Sequence, residues 1–162
     1  MGLDLTLYKL SDFNAVEEER KAWSEDLELA YGRKTWGIAN FFSQRCEPLY
    51  GSDYIFVVPE EVWDEFYNTM LPVAEKLEAY TSEMYSLENQ EIFSREEADE
   101  VQRRYSLLTD KTEEILSDAL GESFFQLGAD WEARAVLRWL DANEVIKQAY
   151  ADGEKIIMSE SY

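Results

Sequence analysis

The side chains of this chain that are able to do chemistry are overwhelmingly carboxylates, and they come in runs. Glu17, Glu18 and Glu19 form one, Glu25, Asp26 and Glu28 another, Glu60, Glu61, Asp64 and Glu65 a third, and Glu96, Glu97, Asp99 and Glu100 a fourth. Paired carboxylates serve as general acid and base or hold Mg²⁺ when they converge with suitable partners. No Asp-x-Asp, Glu-x-x-His or Gly-rich phosphate loop supports either use. The chain contains no His, so Ser/His/Asp, Cys/His and His-based zinc chemistry are unavailable. The expectation is a protein that binds instead of catalysing, with no cofactor and no metal.

What such runs can do is carry charge. Asp and Glu number 35 against 15 Lys and Arg, a net charge of −20. That field repels nucleic acid and anionic membrane and steers the chain toward basic surfaces. Carboxylates three or four residues apart on a helix lie roughly 5–6 Å from one another, close enough to imitate a row of DNA phosphates. Between residues 60 and 100 the only cations are Lys76 and Arg95, so a continuous negative face is expected there. The plainer reading is that these acids complement helix dipoles in first turns and keep the protein soluble.

The opposite kind of site is Tyr31, Arg33, Lys34 and Asn40, in the one extended region that is not acidic. An aromatic beside two cations can hold a nucleotide base and phosphate. The plainer reading has Arg33 and Lys34 neutralising nearby acids and Tyr31 in the core. Trp36 and Trp131 are the aromatics expected to matter if one faces a partner. Cys46 is a lone thiol, which excludes an internal disulfide and suggests no catalytic role.

The elements that must position these groups follow from periodicity. Leu3, Leu5 and Leu7 alternate with polar residues, predicting a strand over 2–9. Trp23, Leu27, Ala30, Tyr31, Ile38, Phe41 and Phe42 recur near helical spacing, predicting a helix over 25–45 in which Gly32 and Gly37, each costing up to about 1 kcal/mol, signal close packing or a kink. A short strand over 54–58 leads through Pro59 into a helix running to about residue 85, kinked at Pro72. Ser94 to Glu97 spells a capping box for a helix ending at Gly121. A short strand over 124–127, a helix capped by Asp130 and running through Ile146, and a strand over 155–158 complete the chain. This is an α+β class, about four short strands in one sheet against about four helices, in a single domain over 1–162 with an acid-rich helical excursion near 80–120. A chain of 162 residues, 46% of them hydrophobic, is large enough to bury a core. It shows neither a stretch apolar enough to span a membrane nor a signal-peptide pattern, so the cytoplasm is the expected compartment. Gly2 to Thr6 fits an N-myristoylation pattern, but the strand needs the same residues.

Met1, Gly2, Leu3 and Asp4, followed by Glu28, Ala30, Tyr31, Arg33, Lys34, Ile38, Asn40 and Phe42, resemble a family of small bacteriophage proteins that open with a Met-Gly-Leu-Asp strand and carry a Tyr-x-Arg-Lys helix. The likeness extends more weakly through Tyr54 to Glu61, Phe124 to Gly128 and the tail Ser159, Ser161 and Tyr162. It covers both ends of the chain and not the middle. Two departures stand out: Ala39 replaces a His frequent in the family, and residues 80–120 are longer and more acidic. The family has no agreed activity, so the resemblance implies a phage origin and a fold. Joined to the charge, it suggests an inhibitor of a host defence protein, of anti-restriction or anti-CRISPR type, whose acidic face occupies a basic nucleic-acid-binding cleft. A nucleotide-sequestering protein and a structural or regulatory phage component are the alternatives.

Overall fold

Alternation at the start of the chain produces β1 (Asp4–Lys9), whose Leu5 and Leu7 are fully buried. The structure, a computed structural model, describes residues 3–19, 27–121 and 128–161, and of residues 15–19 the backbone alone. The expected strand over 124–127, Trp23, Glu25, Asp26, Tyr162 and the side chains of Glu17, Glu18 and Glu19 lie outside the described residues.

Helix α1 (Leu10–Glu19) follows β1 without a break, with Ser11 and Asp12 inside its first turn. Then come β2 (Ala30–Arg33), α2 (Trp36–Ser43), β3 (Glu47–Pro48) and β4 (Ile55–Val58). Helices α3 (Glu60–Met70) and α4 (Ala74–Glu88) are separated by a 3-10 turn at Leu71–Val73, where Pro72 breaks the α-helical ladder as expected. Helix α5 (Arg95–Leu120) starts at the Ser94 cap and stops at Gly121, whose φ of 88° ends the helix. Helices α6 (Ala129–Asp141) and α7 (Asn143–Ala151) meet at Ala142, and β5 (Ile156–Ser161) closes the chain.

The strands form one antiparallel sheet in the order β2-β1-β5-β4-β3. The first and last strands therefore pair at its centre, with Leu7 opposite Met158. Leu5, Leu7, Ala30, Phe56, Val58, Ile156 and Met158 share one face, which packs with α2, α3 and α6 over an aromatic group of Phe41, Phe42, Trp63, Phe66 and Trp139. The other face carries Tyr8 and Ile157 under Phe13 of α1. A third apolar cluster, Met84, Leu87 and Leu108, zips α4 to α5.

The helix expected over 25–45 is corrected: among its described residues Ala30–Arg33 form β2, and the α-helix covers Trp36–Ser43. The spacing of Ala30 and Tyr31 suits a helix, but the open edge of β1 takes this segment as a strand, pairing Leu5 with Gly32. Gly32 is what permits it. A Cβ there would lie 2.8 Å from both the Ala135 Cβ and the Thr35 Cγ2, so α6 can cross β2 at this point only because the side chain is absent. Lys34, at φ 56°, then turns the backbone into α2. The helix expected from Asp130 through Ile146 is divided at Ala142, and Gly128, not Asp130, occupies its N-cap position.

Candidate functional site

The acids of α3 stand in and just beyond its first turn, as the Pro59 boundary dictates, but cations from distant elements reach them. Lys147 of α7 places its Nζ 2.6 Å from Glu60 and 2.8 Å from Asp64. Arg45 lies 3.1 Å from Glu65 and also covers the Phe41 ring at 3.9 Å. Only Glu61 of the four has no cation within ion-pair distance among the described residues. The continuous negative face expected from residue 60 to residue 100 is therefore interrupted, because a window whose own cations are Lys76 and Arg95 is served by Lys147 and Arg45 from outside it.

The second group, Glu96, Glu97, Asp99 and Glu100, opens α5 at the outer end of a helical hairpin. The buried residues of α5 are Leu108, Thr112, Leu116 and Leu120, so its first turns carry no buried residue, and Tyr105 then reaches Glu88 of α4 at 2.9 Å and Asp130 of α6 at 3.4 Å. Ser94 Oγ accepts the Glu97 N–H at 3.1 Å, and a Glu97 carboxylate oxygen accepts the Phe93 N–H at 2.9 Å, a reciprocal capping box that fixes the turn. Arg103 donates twice to Glu100, at 3.0 and 2.7 Å, which holds that carboxyl below its usual range. Arg104 lies 2.7 Å from Glu83, and Arg134 a longer 3.6 Å from Glu88. Glu91, Glu96 and Asp99 have no cation partner among the described residues. Glu96, Glu97 and Glu100, with Gln90, Ser94, Val101 and the cation Arg104, line an open cleft of about 420 Å³. Beside it Phe93 is 82% exposed and Ile92 47%.

The four residues of the alternative ligand site do not act together. The Tyr31 hydroxyl donates to Asp4 at 2.9 Å, and burial with that carboxylate raises its pKa. Asn40 accepts from Gln44 one turn along α2. Arg33 and Lys34 instead converge with Arg134 on Trp131, the three cationic centres lying 5.7, 5.4 and 5.9 Å from the indole centroid. Arg33 and Lys34 have no carboxylate at ion-pair distance among the described residues, and Nη2 of Arg134 is buried without a hydrogen-bond acceptor. Trp131 was legible as an aromatic beside charge. Arg134 follows it at i,i+3 on α6, and the part that was not legible is the crossing of α6 over β2, which brings Arg33 and Lys34 to the same ring.

Other reactive groups are occupied structurally. Glu132 of α6 is 1% exposed, its Oε1 accepts the Ile38 N–H at 2.7 Å at the start of α2, and burial lifts its carboxyl to about 8. Burial pushes the Cys46 thiol up to about 12, which leaves it protonated and unreactive. Among the described residues no group of three or more His, Cys, Asp or Glu side chains is placed to hold a metal ion, and no helix is long and apolar enough to cross a membrane. No family model, curated protein or solved structure matches this chain.

Proposed function

We propose that this chain is a non-catalytic binding protein that docks on a basic protein through the outer end of the α4–α5 hairpin, and that its partner is a bacterial nucleic-acid-binding protein of the host-defence kind. The observation that carries this reading is the placement of Glu91, Glu96 and Asp99: carboxylates without cations, at a turn held by its own capping box, beside a cleft that Glu96 edges with Glu97 and Glu100. On α3, by contrast, Lys147 and Arg45 counter three of the four acids. The net charge of −20 supplies long-range steering toward a basic cleft, and the hairpin supplies the point of contact. The phage resemblance of the two chain ends is what places the partner in a bacterial host.

The test is capture on the immobilised chain from bacterial lysate at low salt, followed by competition between double-stranded DNA and the chain for the captured protein. Reversing Glu91, Glu96 and Asp99 to Lys should abolish capture, while reversing Glu60 and Asp64 should change it little. Capture that survives high salt and hairpin reversal would overturn the reading.

A second reading is favoured by the cations around Trp131. Three positive groups held near one indole in a strongly acidic protein form a seat for a small phosphate-bearing ligand, as in a nucleotide-sequestering protein. Calorimetry with linear and cyclic nucleotides separates it from the first.

A further inference from the structure

An aromatic residue just before a helix N-cap ordinarily packs on the fourth helical residue, closing a hydrophobic staple. At the start of α5 the N-cap is Ser94, so Phe93 holds the stapling position and its natural partner is Ala98. Ala98 offers a single methyl group. The ring is left 82% exposed, next to Ile92 at 47%, and Tyr85 on the facing helix is 62% exposed. The exposure is not slack: the Phe93 N–H is tied to Glu97, and Ala98 N–H closes the first helical turn on the Ser94 carbonyl at 3.1 Å. The backbone that carries the ring is thus fixed while the ring has no intramolecular cover, which is how a preorganised interface anchor is built.

We infer that Phe93 is the anchor of the hairpin interface and that the partner offers an apolar pocket flanked by Lys or Arg side chains, one of which meets Glu96 and Glu97 at the cleft, whose Glu100 is already held by Arg103 and which Arg104 also lines. The inference rests on the proposed docking on a basic protein and specifies its chemistry. A bare phosphate mimic has no use for a protruding ring, because the phosphate track of a nucleic-acid-binding protein is polar; the contact therefore includes a pocket beside that track. A second copy of this chain is a poor occupant, since each hairpin end would bring its own unpaired carboxylates against the other's. An anionic lipid surface is repelled for the same reason.

The test uses a displayed random-peptide library panned on the full chain, with affinity then measured for the best selected peptide against the parent, Phe93→Ser, and the pair Glu96→Lys with Asp99→Lys. Phe93 makes no side-chain contact that supports the fold, so Phe93→Ser should keep the parent's urea midpoint. The expected peptides join an aromatic or branched apolar residue to Lys or Arg, and Phe93→Ser should weaken them by roughly tenfold or more. Selected peptides rich in Lys and Arg but lacking apolar residues, bound equally by Phe93→Ser, would overturn the anchor while leaving acidic docking intact. Selection of no basic peptides would overturn both. A parent that is dimeric by sedimentation, with Phe93→Ser monomeric, would overturn the anchor in favour of self-association.

Discussion

Glu132 accepts the backbone N–H of Ile38 at 2.7 Å across 94 positions of sequence, so the start of α2 is capped from the middle of the first turns of α6. Thr35, at the local N-cap position, makes no side-chain cap. Burial raises the Glu132 carboxyl to about 8. An unfolded Glu ionises near pH ~4.3, so between that value and the folded one the native state retains a proton that the unfolded state has released. Stability from this group therefore falls as pH rises through the window. Glu132→Gln keeps an acceptor and cannot ionise. Relative to the parent it should gain on the order of a few kcal/mol between about pH 5 and about pH 9, read from urea midpoints at the two pH values. An unchanged difference between variant and parent across that range would contradict the assignment.

Gly32→Ala should be destabilising by about 1–3 kcal/mol, because the added methyl must displace Ala135 or Thr35 from 2.8 Å contacts at the β2–α6 crossing. Chemical denaturation measures it. Gly51→Ala, whose Cβ meets nothing within 4 Å but whose φ is 69°, isolates the conformational cost alone.

Lys147→Met removes the cation shared by Glu60 and Asp64. Exposed pairs of this kind contribute about 0.2–1 kcal/mol each, so the urea midpoint should drop modestly and the drop should shrink in high salt. If α3 is not the docking face, the newly freed carboxylates should leave affinity for a basic peptide nearly unchanged.

The capping box at Ser94, the Pro59 and Pro72 boundaries and the alternation in β1 are local signals, and each sits where its pattern placed it. The segment around Gly32 misled because a helical spacing of apolar residues was overridden by an open strand edge on β1 and by the demand of α6 for close approach. The acids of α3 look unopposed for the same reason at a longer range: Lys147 and Arg45 belong to other elements, and only the fold brings them in. Phe93 was readable in principle, as an aromatic one place before a cap with an Ala where its staple partner belongs.

For the second reading, inorganic pyrophosphate titrated into the chain should quench the emission of Trp131, with Trp131→Phe as the reference. Arg33→Glu together with Lys34→Glu should remove the response. The cations lie within 6 Å of the ring, so a change confined to other tryptophans would dissociate binding from this site.

The proposed docking surface is the hairpin end, and not acidity in general. A map of backbone amide shifts on titrating the ¹⁵N-labelled chain with a peptide alternating lysine and leucine tests it most directly. Changes should be concentrated between Gln90 and Arg104, saturating together and lost at high salt. Changes scattered over every acidic helix, or centred on Glu60, Glu61, Asp64 and Glu65, would contradict it.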